Sequence, residues 1–122
     1  MKVTDAELEV LKILWKKEQA TSFDIIDELG KKKDWNDSTI RTLIKRLQDK
    51  NVIKQVKKEG KTYIYEAIIK EDEFKTQENH NFLNKIYDGS LKNMLLHFTK
   101  KQELKKEDLE ELMDLIDKKE VK

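Results

Sequence analysis

The stretch NDSTIRTLIKRLQDKNVI, residues Asn36 to Ile53, decides the fold. Its apolar residues Ile40, Leu43, Ile44 and Leu47 fall at i, i+3, i+4 and i+7. One stripe of a helix therefore faces a core while Ser38, Arg41, Thr42 and Lys45 share the other side. A surface helix usually mixes acids and bases, often paired four residues apart, yet no carboxylate occurs between Ser38 and Gln48. Asn36 is a good N-cap, and Trp35 at N′ with Ile40 at N4 is the pairing of a hydrophobic staple. Asp37 suits the positive end of the helix dipole and would oppose a phosphate, which excludes it from an anion-binding set. Asn51 can close the helix in a left-handed conformation.

Upstream, Thr4 followed by Glu7 is a capping box, and Leu8, Leu11 and Trp15 continue at helical spacing to a helix end near Lys17. Trp15 is expected in the core. Thr21 with Asp24 repeats the start signal, Gly30 supplies a stop, and Ile25, Ile26 and Leu29 point inward between them. Downstream the period changes from helical to strand-like. Val52 to Val56 and Thr62 to Ala67, rich in β-branched and aromatic residues, flank the turn signal Lys57-Lys58-Glu59-Gly60-Lys61 and predict a hairpin. Three helices followed by a hairpin with three lysines at its tip make a winged helix-turn-helix.

Net charge of +1 conceals a polarised chain. Residues 31 to 61 hold eleven Lys or Arg against four acids, a net of +7, whereas residues 71 to 122 hold ten against thirteen, a net of −3. A basic excess that coincides with an acid-free helix face points to a polyanionic partner, the alternative being a merely solvated face. Recognition helices of this type enter the major groove of DNA. Arg41 is placed to fork two hydrogen bonds to guanine, Thr42 to meet a thymine methyl or base edge, and Ser38 or Thr39 to do either. Lys45, Lys57, Lys58 and Lys61 suit phosphates, where a mobile ammonium supplies charge with little directional demand. Arg46 is assigned to neither set, since at the rim beside Leu47 it can pair within the protein instead.

The run from Asn36 to Asn51 resembles the recognition helix of the penicillinase and methicillin-resistance repressors, the BlaI/MecI/CopY family. TDAELEVLKILW at Thr4 to Trp15 resembles their first helix, YIYEAIIKEDE at Tyr63 to Glu73 their wing and its exit, and FLNKIYDGSLKNMLLHF at Phe82 to Phe98 their dimerisation segment. Together these cover almost the whole chain, and combined motifs in order are far more specific than a generic helix-turn-helix. The resemblance implies a homodimeric repressor that binds a palindromic operator through helix 37–50 and wing 57–61 and leaves it when a signal arrives. In antibiotic-responsive members a membrane-bound metalloprotease sensor triggers cutting of the repressor at an Asn-Phe bond. The matching dipeptide here is His97-Phe98, which keeps the Phe and replaces the Asn. The copper-responsive branch ends in a cysteine-rich metal site, which a chain without cysteine cannot build.

The expected architecture is mainly α with a small β-hairpin: a winged helix-turn-helix DNA-binding domain over 1–72 and a helical dimerisation domain over 73–122. At 122 residues, 37% hydrophobic and 42% charged, the chain has modest core material, and a partner that covers apolar surface is expected. Phe74, Phe82, Leu83 and Ile86 suit one helical face, Leu91, Met94, Leu95 and Phe98 a second, and Leu109, Leu112, Met113 and Ile116 a third. A two-fold partner would bury these stripes and present two recognition helices to half-sites. The alternative is that they fold back on the N-terminal domain. The charged run from Thr99 to Leu109 is expected to be mobile and open to a protease.

No signal peptide or membrane span is evident, and absent cysteine removes disulfides and thiolate chemistry. A soluble, cytoplasmic protein is expected, with neither metal nor cofactor. An enzyme is not expected: His80 and His97 lie seventeen residues apart, with no nucleophile motif and no glycine-rich phosphate loop. His80 reads as a surface residue and His97 as an interface one. The competing non-enzymatic reading is a winged-helix module that binds protein instead of DNA.

Overall fold

A computed structural model describes residues 2–120. The chain divides into two compact units, Met1–Phe74 and Lys75–Lys122. The first begins with α1, Asp5–Lys17, whose capping box is formed: Thr4 Oγ1 accepts from the Glu7 amide at 3.2 Å and Glu7 Oε1 accepts from the Thr4 amide at 3.0 Å. A two-residue strand β1, Ala20–Thr21, leads into α2, Ser22–Lys33, capped reciprocally by Thr21 and Asp24 at 3.1 Å. Gly30 does not end this helix. Lysines at 31–33 continue it, favoured by their helix propensity and by the negative end of the dipole, and Asp34 takes the left-handed turn at φ 57°.

The third helix, α3, runs Asp37–Asp49, with Asn36 Oδ1 accepting from the Thr39 amide at 2.9 Å. Asn51 closes it at φ 59°: its amide donates to Gln48 O at 2.9 Å and the Val52 amide to Leu47 O at 3.0 Å. These are the two bonds of a Schellman motif, with Asn in the position glycine usually takes. Strands β2, Ile53–Glu59, and β3, Thr62–Ala67, form the wing, and β1 adds to it antiparallel, giving a sheet of order β1-β3-β2. The expected hairpin is thus part of a three-stranded sheet, with Ala20 opposite Tyr65 and Thr21 opposite Ile64.

The wing turn is shorter than the lysine-rich signal suggested. Glu59 pairs with Thr62, so only Gly60 and Lys61 connect the strands, and Gly60 supplies the positive φ of 61° that such a tight turn requires. A bulge between Gln55 and Lys57 leaves Val56 as the extra residue.

The stripes predicted for the three helices converge. Val10, Leu11, Ile13 and Leu14 of α1, Ile25 and Leu29 of α2, and Ile40, Leu43, Ile44 and Leu47 of α3 are buried with Val52, Ile53 and Tyr65. Trp15 and Trp35 pack against this cluster half-buried. The Trp15 indole donates to Ile69 O at 3.0 Å, with its ring centroid 5.4 Å from that of Phe74. Recognition-helix residues outside the stripe are held outward by the packing of those inside it.

A pair not anticipated from sequence ties the ends of α1 and α3 together. Glu7, 1% exposed, accepts from Lys50 Nζ, which also donates to Lys2 O at 2.7 Å. Burial pushes the Glu7 carboxyl pKa up, but the Lys50 hydrogen bond and charge and the Thr4 bonds outweigh it, leaving the group below its ordinary value.

The second unit contains the rest of α4, Glu71–Tyr87, followed by α5, Leu91–Lys100, and α6, Lys106–Glu120. Much of the charged run expected to be mobile is helical, because Thr99 and Lys100 end α5 and Lys106 begins α6; only residues 101–105 connect them. None of the described residues of α4 and α5 is buried. No helix among the described residues is long and apolar enough to cross a membrane.

Candidate nucleic-acid interface

The outward face of α3 carries Ser38, Thr39, Arg41, Thr42, Lys45 and Arg46, all exposed. Thr42 Oγ1 donates to Ser38 O at 2.9 Å. Its hydroxyl proton is committed to its own helix, leaving the methyl and the oxygen lone pairs for contact. Thr39 has its amide engaged by the Asn36 cap, which fixes the first turn of the helix at the start of this face.

The basic excess of residues 31–61 resolves into two groups. Lys32 and Lys33 approach Glu9 at 3.9 and 3.7 Å, Lys31 pairs with Asp27, Lys50 with Glu7, Lys54 with Glu66 at 3.5 Å and Lys57 with Glu59 at 3.3 Å. Burial raises the Glu9 carboxyl pKa, while Lys12, Lys33 and Lys32 lower it further than burial raises it. Among the described residues, Arg41, Lys45, Arg46, Lys58 and Lys61 have no carboxylate partner. Arg46, for which pairing within the protein was an alternative, therefore joins this outward set.

The three wing lysines do not form a single tip. Lys61 lies in the turn, while Lys57 and Lys58 are successive residues of β2 and so project to opposite faces of the ribbon. Lys58 sits opposite Tyr63 in the register, its Nζ 5.1 Å from the ring centroid. The Lys57–Glu59 pair is exposed on both sides, where an ion pair contributes little and exchanges readily for a phosphate.

Sequence reading missed Phe23. It is the second residue of α2, 60% exposed, and the Arg41 guanidinium carbon lies 5.8 Å from its ring centroid. Its signal was a large apolar side chain off the buried stripe of Ser22, Ile25 and Leu29.

In the second unit, Phe82, Ile86, Leu91, Leu112, Met113 and Ile116 are exposed large hydrophobics, and Leu83, Met94, Leu95, Phe98 and Leu109 are half-buried. Leu96 and Leu115, not in the expected stripes, are exposed as well. A cleft of about 570 Å³ between α5 and α6 is lined by Leu91, Lys92, Leu95, Leu96, Thr99 and Leu109. The His97–Phe98 bond lies in the last turn of α5, not in an open loop. The Glu103 amide closes that turn on Phe98 O at 3.0 Å, and the His97 imidazole hydrogen-bonds the Tyr87 hydroxyl at 3.0 Å. Cutting there requires the turn to unwind first. His80 is exposed, and no group of three or more His, Asp or Glu among the described residues is arranged to hold a metal ion.

Known proteins resemble the chain over both units. The family model described as penicillinase repressor matches residues 3–118. Methicillin resistance regulatory protein MecI of Staphylococcus aureus (strain N315) is 38% identical over 117 residues, which cover 96% of this chain and 94% of MecI. The penicillinase repressor of Staphylococcus aureus is 40% identical over 116 residues, covering 95% and 91%. The solution structure of the Bacillus licheniformis BlaI monomeric form in complex with the blaP half-operator matches 60% of this chain and 88% of that one, with 36% identity and a TM-score of 0.53. A winged helix with an acid-free recognition face, matched in sequence from its first helix to its last, places the chain in the penicillinase repressor family.

Proposed function

We propose that the chain is a cytoplasmic, homodimeric transcriptional repressor that binds a two-fold symmetric DNA operator. The observation that carries this reading is the exposed face of α3, basic and free of carboxylates from Ser38 to Gln48, on a helix anchored by four buried residues. The BlaI structure with its half-operator supports DNA as the partner. Ser38, Thr39, Arg41 and Thr42 reach base edges; Lys45, Lys57, Lys58 and Lys61 neutralise phosphates and fix the register of the helix in the groove. Arg46 joins the phosphate set. The apolar side chains left exposed on α4, α5 and α6 support a second copy as their cover, with residues 1–72 as reader and 73–122 as dimerisation domain. Two copies would set their recognition helices one or more turns of DNA apart, about 34–36 Å per turn. Release follows an inducing signal, for which cleavage by a membrane-bound sensor system at His97-Phe98 is one route, available once the end of α5 unwinds.

Arg41→Ala tests the base-reading part. It is expected to lose about 1–3 kcal/mol per half-site at one symmetric pair of base positions and to relax specificity there. Uniform weakening on every sequence would instead make Arg41 a phosphate contact. Lys61→Ala should weaken all DNA alike. With two copies each losing one phosphate, the slope of log K against log salt should fall by about 2. A protein-binding module would show neither the steep salt dependence nor the change in slope.

A further inference from the structure

Phe23 has no place in the core and no role in the assignments above. At 60% exposure it leaves most of its ring in water, while the residues α2 buries are Ser22, Ile25 and Leu29. A single exposed apolar side chain needs no explanation by itself. This one has the Arg41 guanidinium over its ring at 5.8 Å, within the range of a cation–π contact. Arg41 also lies near enough to Tyr65 of β3 for its charge to lower that phenol's pKa, against burial and Tyr63, which raise it further. The guanidinium therefore rests against the ring at the start of α2.

That contact matters for what Arg41 is asked to do. Arginine reads guanine with two parallel N–H donors in one plane, so discrimination depends on holding the plane edge-on to the base, not on charge alone. Four rotatable bonds separate the guanidinium from the α3 backbone, and among the described residues no hydrogen bond or ion pair from α3 holds its orientation. The ring of Phe23 supplies a flat apolar wall that favours one orientation without competing for the N–H groups.

We propose that Phe23 is a specificity-determining positioning residue of the DNA-reading surface, holding the Arg41 guanidinium in the orientation that forks onto guanine. This rests on the base-reading assignment of Arg41. The test is a double-substitution cycle with the full-length protein: the unsubstituted chain, Phe23→Leu, Arg41→Ala and the two combined. Affinity is measured for the selected operator, for operators in which each candidate guanine pair is changed to adenine in both half-sites, and for non-specific DNA, at a series of salt concentrations.

Phe23→Leu is expected to reduce the preference for one guanine by about 3- to 30-fold per half-site. Affinity for non-specific DNA and the salt slope should stay unchanged. The effect should vanish in the Arg41→Ala background, and Phe23→Tyr, which keeps the ring face, should retain the preference. Because the side chain is exposed, these variants should melt at the temperature of the unsubstituted protein, and a melting curve checks it. An unchanged preference in Phe23→Leu alongside a lost one in Arg41→Ala overturns the positioning role and leaves the base contact standing. An effect of Phe23→Leu that persists without Arg41 overturns it in favour of direct contact between ring and DNA. If Arg41→Ala itself changes no base preference, the base contact and the positioning role fall together.

Discussion

Replacing Ile86 and Ile116 together by glutamate in the full-length chain is expected to lower operator affinity by about 10²–10⁴-fold. Both side chains are more than half exposed, so within one chain their loss removes little packing. In the proposed dimer they become buried, and a carboxylate at each position would have to be desolvated without a partner, which disfavours association strongly. Each half-site reader alone is expected to bind weakly. Joining two makes the second contact intramolecular, and that gain disappears when the dimer dissociates. Sedimentation should show a monomer, and affinity for an isolated half-site should match that of the parent. A variant that remains dimeric, or binds the full operator as tightly, would remove these stripes from the interface.

Lys50→Ala should be the most damaging single substitution outside the apolar core. It leaves the Glu7 carboxylate, 1% exposed, without its cation, and breaking one side of such a pair costs about 3 kcal/mol. The pH dependence separates this from lost packing. The folded-state pKa of Glu7 is lowered from 4.5, so the pair contributes stability that is present above the unfolded value and lost as pH falls through the folded one. In the variant burial still raises the carboxyl pKa while the lysine that lowered it is gone, so the folded pKa rises. The gap between the two proteins should be widest near neutral pH and narrow as pH falls through the variant's raised folded pKa towards the lower one of the parent. Urea unfolding at several pH values measures it; a gap independent of pH would assign the loss to the lysine stem and not to the ion pair.

The legible parts of this fold are those whose signal is local. Ile40, Leu43, Ile44 and Leu47 lie within two turns, and the caps at Thr4, Thr21 and Asn36 act three residues away, so α1, α3 and the start of α2 follow from spacing alone. Strand β1 has two residues and no period to detect; only its pairing with β3, some 45 residues on, makes it a strand. Gly30 shows the limit of a single-residue stop signal, because the lysines that follow favour one more turn. The charged run after Phe98 looked mobile by composition, yet α6 starts within it at Lys106.

The interface divides in the same way. Which α3 residues face outward could be read from the helical period, and all of those expected are exposed. Which lysines remain without a carboxylate could not. The Glu9 pairings with Lys32 and Lys33 and the Glu7 pairing with Lys50 join residues more than twenty apart in the chain, and no spacing rule reports them. Phe23 was hidden for the same reason, since its significance lies in Arg41, on a different helix.

The most direct test of the account is selection of binding sites from random duplex DNA with the purified full-length protein at near-physiological salt, followed by sequencing of the bound pool. The expected result is a two-fold symmetric site with one fixed half-site spacing, containing a guanine whose enrichment disappears with Arg41→Ala. An unenriched pool, or a single asymmetric sequence bound by one chain, would contradict it.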